Sequence, residues 1–305
     1  MKKAWLLFFL ILSCVTGKAQ KISLGLHLTK GATYHLQIAS NLKTTQTING
    51  NLLESELSTA VKVSFTVTGI RDSLYDMQVR YDSLNLTLDL PVGTIKASSE
   101  SGANNIYAGI LSKLKSQPFL VVMTKTGRIV SVNGLYTLIT DAAKTFTNIP
   151  EEQRAQAMNQ VLQSLGEKIF KSNIELCTRI FPPQPVSIND KWVIDSRHEA
   201  PVCVNVHALY LLKGITPSGI IIEGNCIIQT ADNDARTQLI EMPVSYSLGG
   251  NMKLLIKADK TTGWIAEAKI TRVIKGNMAI EDNPKLPGGM LIPVNITGDM
   301  VISNK

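Results

Sequence analysis

Met77-Gln78-Val79-Arg80-Tyr81-Asp82-Ser83-Leu84-Asn85-Leu86-Thr87-Leu88-Asp89-Leu90 carries an apolar residue at every second position, first in one phase and then in the other. Successive side chains of a strand point to opposite faces. Met77, Val79 and Tyr81 therefore share a face with Leu84, Leu86, Leu88 and Leu90 only if the strand bulges or bends near Asp82-Ser83. The same period recurs upstream in Ile22, Leu24, Leu26 and Leu28, in Tyr34, Leu36 and Ile38, and in Val61, Val63, Phe65 and Val67. Downstream it returns in Val202, Val204, Val206, Ala208, Tyr210 and Leu212, and again in Met242, Val244, Tyr246 and Leu248. Met252, Leu254 and Ile256 lead to a turn at Asp259 to Gly263, from which Trp264, Ala266, Ala268 and Ile270 return as a hairpin. A protein built mainly of antiparallel strands follows.

The centre of the chain changes period. Ile106, Ile110, Leu111 and Leu114 recur at helical spacing, as do Leu135, Leu138, Ile139, Ala142 and Phe146 behind an expected Asn133 N-cap. Pro150-Glu151-Glu152 opens a third helix, because proline is tolerated in the first turn and acids there are favoured by the positive end of the helix dipole. Its buried stripe is Met158, Val161, Leu162, Leu165 and Ile169, and it is expected to end near Ser172-Asn173, before a short segment through Ile180. Phe181-Pro182-Pro183-Gln184-Pro185 is a stiff extended connector, since each proline fixes its own φ and keeps its predecessor out of the helical region. Phe119 to Met123, Leu209 to Leu212 and Ile220 to Ile222 are apolar on both faces, which predicts cover on two sides, from helices or from an apolar guest.

The two β-rich halves echo each other. Lys30-Gly31-Ala32-Thr33-Tyr34 parallels Ile188-Asn189-Asp190-Lys191-Trp192, and Thr126-Gly127-Arg128-Ile129 parallels Thr262-Gly263-Trp264-Ile265, at unequal offsets. An old duplication and the plain likeness of hairpin turns both account for this. The first of these stretches, with Thr126 to Gly134 and Phe181 to Trp192, resembles the landmarks of an uncharacterised family of exported proteins from Gram-negative bacteria, known only as a domain of unknown function. The resemblance covers nearly the whole chain after the first twenty residues. It implies a secreted or envelope protein and supplies no catalytic residue. Where such sequences more often have glycine, this chain has Asn189, which also tolerates the left-handed conformation.

The N-terminus points the same way. Lys2 and Lys3 precede an apolar run from Ala4 to Leu12, and Gly17-Lys18-Ala19 stands ahead of Gln20, the layout of an export signal cleaved between Ala19 and Gln20. Ile11-Leu12-Ser13-Cys14 offers an alternative, a lipobox in which Cys14 is lipidated, although the bulky Leu12 disfavours it. Membrane association is expected only in that case. Cleavage removes Lys2, Lys3 and Lys18 and takes the formal charge from +7 to +4, a weak excess that implies no particular partner. Lys113 and Lys115, or Lys253, Lys257 and Lys260, are the nearest things to basic clusters, and no aromatic residues interleave them, so no nucleic-acid partner is expected. At 44% hydrophobic and 18% charged residues, the chain has enough apolar side chains to offset the entropy of ordering.

Three cysteines remain after cleavage, Cys177, Cys203 and Cys226. A symmetric hairpin about Thr216 to Gly219 sets Cys226 opposite Leu209, out of register for a bridge to Cys203, so free buried thiols are expected over a disulfide.

His27, His35 and His207 alternate with apolar neighbours and read as solvent-facing; His198-Glu199 opens no zinc-binding helix, and no Cys-x-x-Cys pair exists. Asp195, Arg197, His198 and Glu199 form the densest polar group and are read as a charged loop rather than as an acid-base pair. Asp232-Asn233-Asp234 lacks the spacing and glycine of a calcium loop and reads as a hairpin tip. No nucleophile elbow, phosphate loop or dinucleotide fingerprint occurs. Trp192 and Trp264, with Tyr34, Tyr210 and Tyr246, are read as core aromatics. No metal, cofactor or catalytic residue is expected.

The expectation is an α+β protein, predominantly antiparallel, with about three central amphipathic helices against a curved, open-barrel-like sheet. Its segments are a signal at 1–19, an N-terminal β-rich half with helices at 20–147, a helical connector at 148–180 and a C-terminal β-rich half at 181–305. The expected function is non-enzymatic: an envelope protein binding an apolar ligand, lipid or acylated partner in the concave sheet, as periplasmic lipoprotein carriers do, with ligand residues unassigned. The alternative is a structural or protein-interaction module of the outer envelope with no small ligand. A membrane barrel is disfavoured by the intervening helices and by the absence of a terminal aromatic in Ser303-Asn304-Lys305.

Overall fold

The computed structural model describes residues 21–102, 105–199, 202–231, 236–239, 242–284 and 286–304. Ala19, Gln20, Cys14 and the Asp232-Asn233-Asp234 tip lie outside the described residues. The first half runs β1 (Thr33–Ile48), β2 (Asn51–Arg71), β3 (Leu74–Leu90), β4 (Gly93–Ser98), α1 (Ile106–Leu114), β5 (Pro118–Thr124), β6 (Ile129–Asn133) and α2 (Leu135–Lys144). Two further helices follow, α3 (Glu151–Leu165) and α4 (Glu167–Thr178). The second half is β7 (Lys191–His198), β8 (Val204–Ile215), β9 (Gly219–Thr230), β10 (Arg236–Leu239), β11 (Met242–Asp259), β12 (Ile265–Ile280) and β13 (Met290–Ser303).

All thirteen strands join one open sheet in the order β6-β5-β3-β2-β1-β13-β12-β11-β9-β8-β7, with β4 on β3 and β10 on β11. The first and last strands pair in its middle, Gln37 opposite Ser303 through Gln46 opposite Val294. Either side of β13 the halves lay down the same succession: β6-β5-β3-β2-β1 matches β12-β11-β9-β8-β7. The expected bulge in β3 is present. Lys62 pairs with Ser83 and Val63 with Tyr81, so Asp82 is the inserted residue, and Tyr81 and Leu84 are both buried.

Several expectations are corrected. Ile22 to Leu28 is no sheet strand, although Leu24, Leu26 and Leu28 are buried. Its backbone bonds instead to turns of both halves, Leu26 N to Lys125 O at 2.8 Å and His27 N to Thr262 O at 2.8 Å, because the edges of β1 are already taken. Helix α2 is capped by Gly134, and Asn133 instead donates its amide to Ser131 Oγ at 3.2 Å. The long helix breaks at Gly166, not at Ser172-Asn173, which sit inside α4; the described residues thus hold four helices. Two of the apolar segments predicted to be covered on both faces are covered on one: Phe119 and Tyr210 are buried, whereas Leu120 and Leu209 are 55% and 39% exposed; in the third, Ile220 and Ile222 are buried and Ile221 is half-buried.

The three cysteines are free, and Cys226 pairs with Ala208 rather than Leu209, because the register shifts between Leu212 and Gly214. Burial pushes the Cys177 and Cys226 thiols up to about 12, which keeps them protonated and inert. Asn189 does adopt a left-handed conformation, φ 73°.

The core lies between the inner face of the sheet and the helices. Phe170 of α4 packs its ring against Phe65, Tyr81 and Phe119, with centroids 6.1, 6.1 and 5.1 Å away. At the far end of α4, Thr178 Oγ1 donates to Gly127 O at 2.7 Å. Gly127 has φ +82°, and a Cβ there would stand 1.8 Å from Thr178 O, so only glycine lets the β5–β6 turn meet the helix. Ile129 N donates to the buried Glu175 carboxylate at 2.6 Å. Helix α4 is thereby fastened across the trough of the sheet.

Candidate functional site

Beside these fastenings a cavity of about 280 Å³ remains beneath α3 and α4. Its roof is Gln160, Gln163 and Ser164 of α3 with Ile169, Ser172, Asn173 and Leu176 of α4. Its floor comes from strands far apart in the sheet order: Leu42 and Leu57 from β1 and β2, Val204 and Val206 from β8, and Leu248, Met252 and Ile274 from β11 and β12. Strands β2 and β8 line one cavity only because the sheet curls strongly. The break at Gly166 also matters, since a helix continuing straight through it would carry Ser172 and Asn173 along a different line.

Most of the wall is aliphatic, but two basic side chains interrupt it. His198 ends β7 with 8% exposure and bonds through Nε2 to Ser196 Oγ at 3.2 Å. Burial, and then the cations Arg179, Lys171 and Arg272, pull its pKa down to about 4, so it is neutral at physiological pH. Arg272 sits in the inward phase of β12, between Ile270 and Ile274. Burial holds its guanidinium below its ordinary value, and no acidic group among the described residues offsets that effect.

Sequence reasoning assigned no ligand residue and passed over Arg272. The signal was present: in Ala268-Lys269-Ile270-Thr271-Arg272-Val273-Ile274, a charge occupies the apolar phase.

Asp195, Arg197 and His198 lie on β7, not in a loop; Asp195 and Arg197 are exposed while His198 is buried, as alternation requires. Asp195 Oδ1 meets His207 Nδ1 at 2.7 Å as an exposed cross-strand pair. They border an open groove of about 670 Å³ with Arg128, Lys171 and Arg179, and a small pocket lined by Lys171, Ser172, His198 and Glu199 lies between groove and cavity. His27 and His35 are exposed, as expected. The tryptophans serve the core: Trp192 Nε1 donates to Ile180 O at 2.9 Å, and Trp264, 2% exposed, packs on Tyr34 and Phe65 at 5.2 Å each. Among the described residues no group of acids, histidines and cysteines is placed to hold a metal.

The fold and cavity define a protein with one curled, open antiparallel sheet closed over by helices on its concave side. The chain belongs to DUF6263, a family of unknown function, whose profile matches residues 72–265. No curated protein matches it. Among solved structures, an outer membrane channel from Pseudomonas putida F1 aligns at 9% identity and TM-score 0.23, over 94% of this chain and 98% of the other. A DUF1329 family protein from Desulfovibrio piger aligns at 10% identity and TM-score 0.15, over 90% and 87%. OmpF of Salmonella typhi in complex with daunomycin aligns at 6% and 0.20, over 88% and 97%. Likeness at such scores establishes neither a common fold nor a common activity. No helix among the described residues is long and apolar enough to cross a membrane.

Proposed function

We propose that this protein is an exported, non-enzymatic component of the cell envelope that takes an apolar ligand into the cavity beneath α3 and α4. The observation carrying this reading is the cavity itself: about 280 Å³, with a largely aliphatic floor, between the sheet and the helices. Pockets for small ligands begin near this size, roughly 300 Å³. The export signal read from residues 1–19 supports an envelope location, as does the absence of any recognisable catalytic motif for the non-enzymatic reading.

The test is occupancy. The mature protein, isolated under native conditions, is expected to carry an organic adduct in native mass spectra and to bind the neutral probe N-phenyl-1-naphthylamine. Leu176→Trp, which fills the cavity from α4, is expected to reduce probe affinity at least tenfold while the melting transition stays cooperative. Bare polypeptide in repeated spectra, together with no probe binding, overturns the reading.

A further inference from the structure

Arg272 is the one cation of the cavity wall for which no hydrogen bond or ion pair exists among the described residues, and it has no acid near enough to shift its titration. Its seat is built. Arg272 stands opposite Gly298 on β13 and Met252 on β11, and Gly298 in turn stands opposite Leu42 on β1. A Cβ at position 298 would come 2.8 Å from Arg272 Nε and 2.9 Å from Leu42 Cδ1, so the arginine side chain crosses space that a larger residue there would make it yield. On the sheet side the cavity wall is apolar apart from Ser40, Thr59 and neutral His198, and the helical roof adds the uncharged polar side chains of Gln160, Gln163, Ser164, Ser172 and Asn173; no acid lines it.

Arginine stays protonated in proteins, and a half-buried cation among apolar side chains is costly unless a counter-charge joins it. Here that counter-charge does not come from the described chain. A cavity at the small end of the ligand range suits one hydrocarbon chain better than two.

We infer that the ligand is a single-chain amphiphile with an anionic head, carboxylate or phosphate monoester, and that Arg272 on its Gly298 seat receives the head while the aliphatic walls hold the chain. This rests on the apolar-ligand reading and adds the head group and its receptor. A guanidinium donates two parallel hydrogen bonds to either head, which an alcohol of the same chain length cannot accept in charge-assisted form.

The experiment is displacement of N-phenyl-1-naphthylamine from the mature protein by dodecanoate, dodecyl phosphate and 1-dodecanol, with inorganic phosphate as the tail-free control. Wild type is expected to bind at least one of the two anions tenfold or more tightly than the alcohol, and the tighter of them identifies the head. In Arg272→Met the ratio is expected to fall to about one with the alcohol's affinity unchanged. The ligand-free variant is expected to melt at a higher temperature, because an uncompensated charge has gone; a purely structural arginine would leave a less stable protein. Gly298→Ala, which keeps the charge and removes the seat, is expected to lower anion affinity selectively, and it serves if Arg272→Met does not fold. A wild-type ratio near one, a ratio that survives Arg272→Met, or displacement by inorganic phosphate as effective as by dodecanoate overturns the inference while leaving an apolar binder. Failure of the probe and of all three amphiphiles to bind overturns both readings.

Discussion

His198 shows how position alone sets a residue's chemistry. The sequence places it in a polar cluster, yet strand alternation turns it inward while Asp195 and Arg197 face out, and burial lowers its pKa to about 4. Between the ordinary value of 6.5 and about 4 the unfolded chain binds a proton that the folded protein refuses. Stability is therefore complete above pH 6.5 and falls as the pH drops toward 4, by about 3 kcal/mol in all. Urea unfolding at pH 7.5 and 4.5 is expected to show a larger acid loss in wild type than in His198→Gln, by about 2–3 kcal/mol; equal losses in the two proteins refute the assignment. Arg272 was legible by the same alternation, as a charge in an apolar phase. That nothing neutralises it was not legible, because its neighbours Met252, Gly298 and Leu42 come from three other strands.

At the scale of elements, every period-two run but Ile22 to Leu28 falls on a real strand and the helical stripes fall on helices, and Asp82 is the inserted residue that the phase switch demanded. A further signal, Ile48-Asn49-Gly50-Asn51, makes the β1–β2 turn with φ 50° and 79°, the two left-handed residues of a tight hairpin. The misplaced boundaries share one cause: they depend on contacts beyond the element. Apolar stripes run on through Gly166, so periodicity alone carries the helix past its true break. Ile22 to Leu28 alternates like a strand but meets turns rather than a free edge. Helix α4 holds its place chiefly through Phe170, whose three aromatic neighbours come from β2, β3 and β5. Phe170→Ala is expected to cost about 3–5 kcal/mol in urea unfolding; a loss below about 1 kcal/mol would show that the ring cluster does not anchor the roof.

For the molecule as a whole, the joint between halves is the β1–β13 ladder at the centre of the sheet, not the connector at 148–180. Either half alone would expose a long unpaired edge there, a template for aggregation. Fragments 20–180 and 181–305 are accordingly expected to aggregate when made separately and to elute together as one species in size-exclusion chromatography when made together. Two separately soluble, folded fragments would contradict this view. The repeated order of strands either side of β13 accompanies the echo of turns seen in sequence, and Gly127 and Gly263 occupy matching β5–β6 and β11–β12 turns with φ 82° and 69°. What the sequence by itself determined is local: strand or helix, the inward face of each, the bulge at Asp82 and the antiparallel α+β class, because side-chain period is a property of neighbours along the chain. Only the tertiary structure decided that one sheet curls until β2 and β8 face each other, that α4 bridges the trough without filling it, and that Arg272 lies there without a counter-charge. Those facts depend on the distance between surfaces remote in sequence, and no period along the chain encodes that distance.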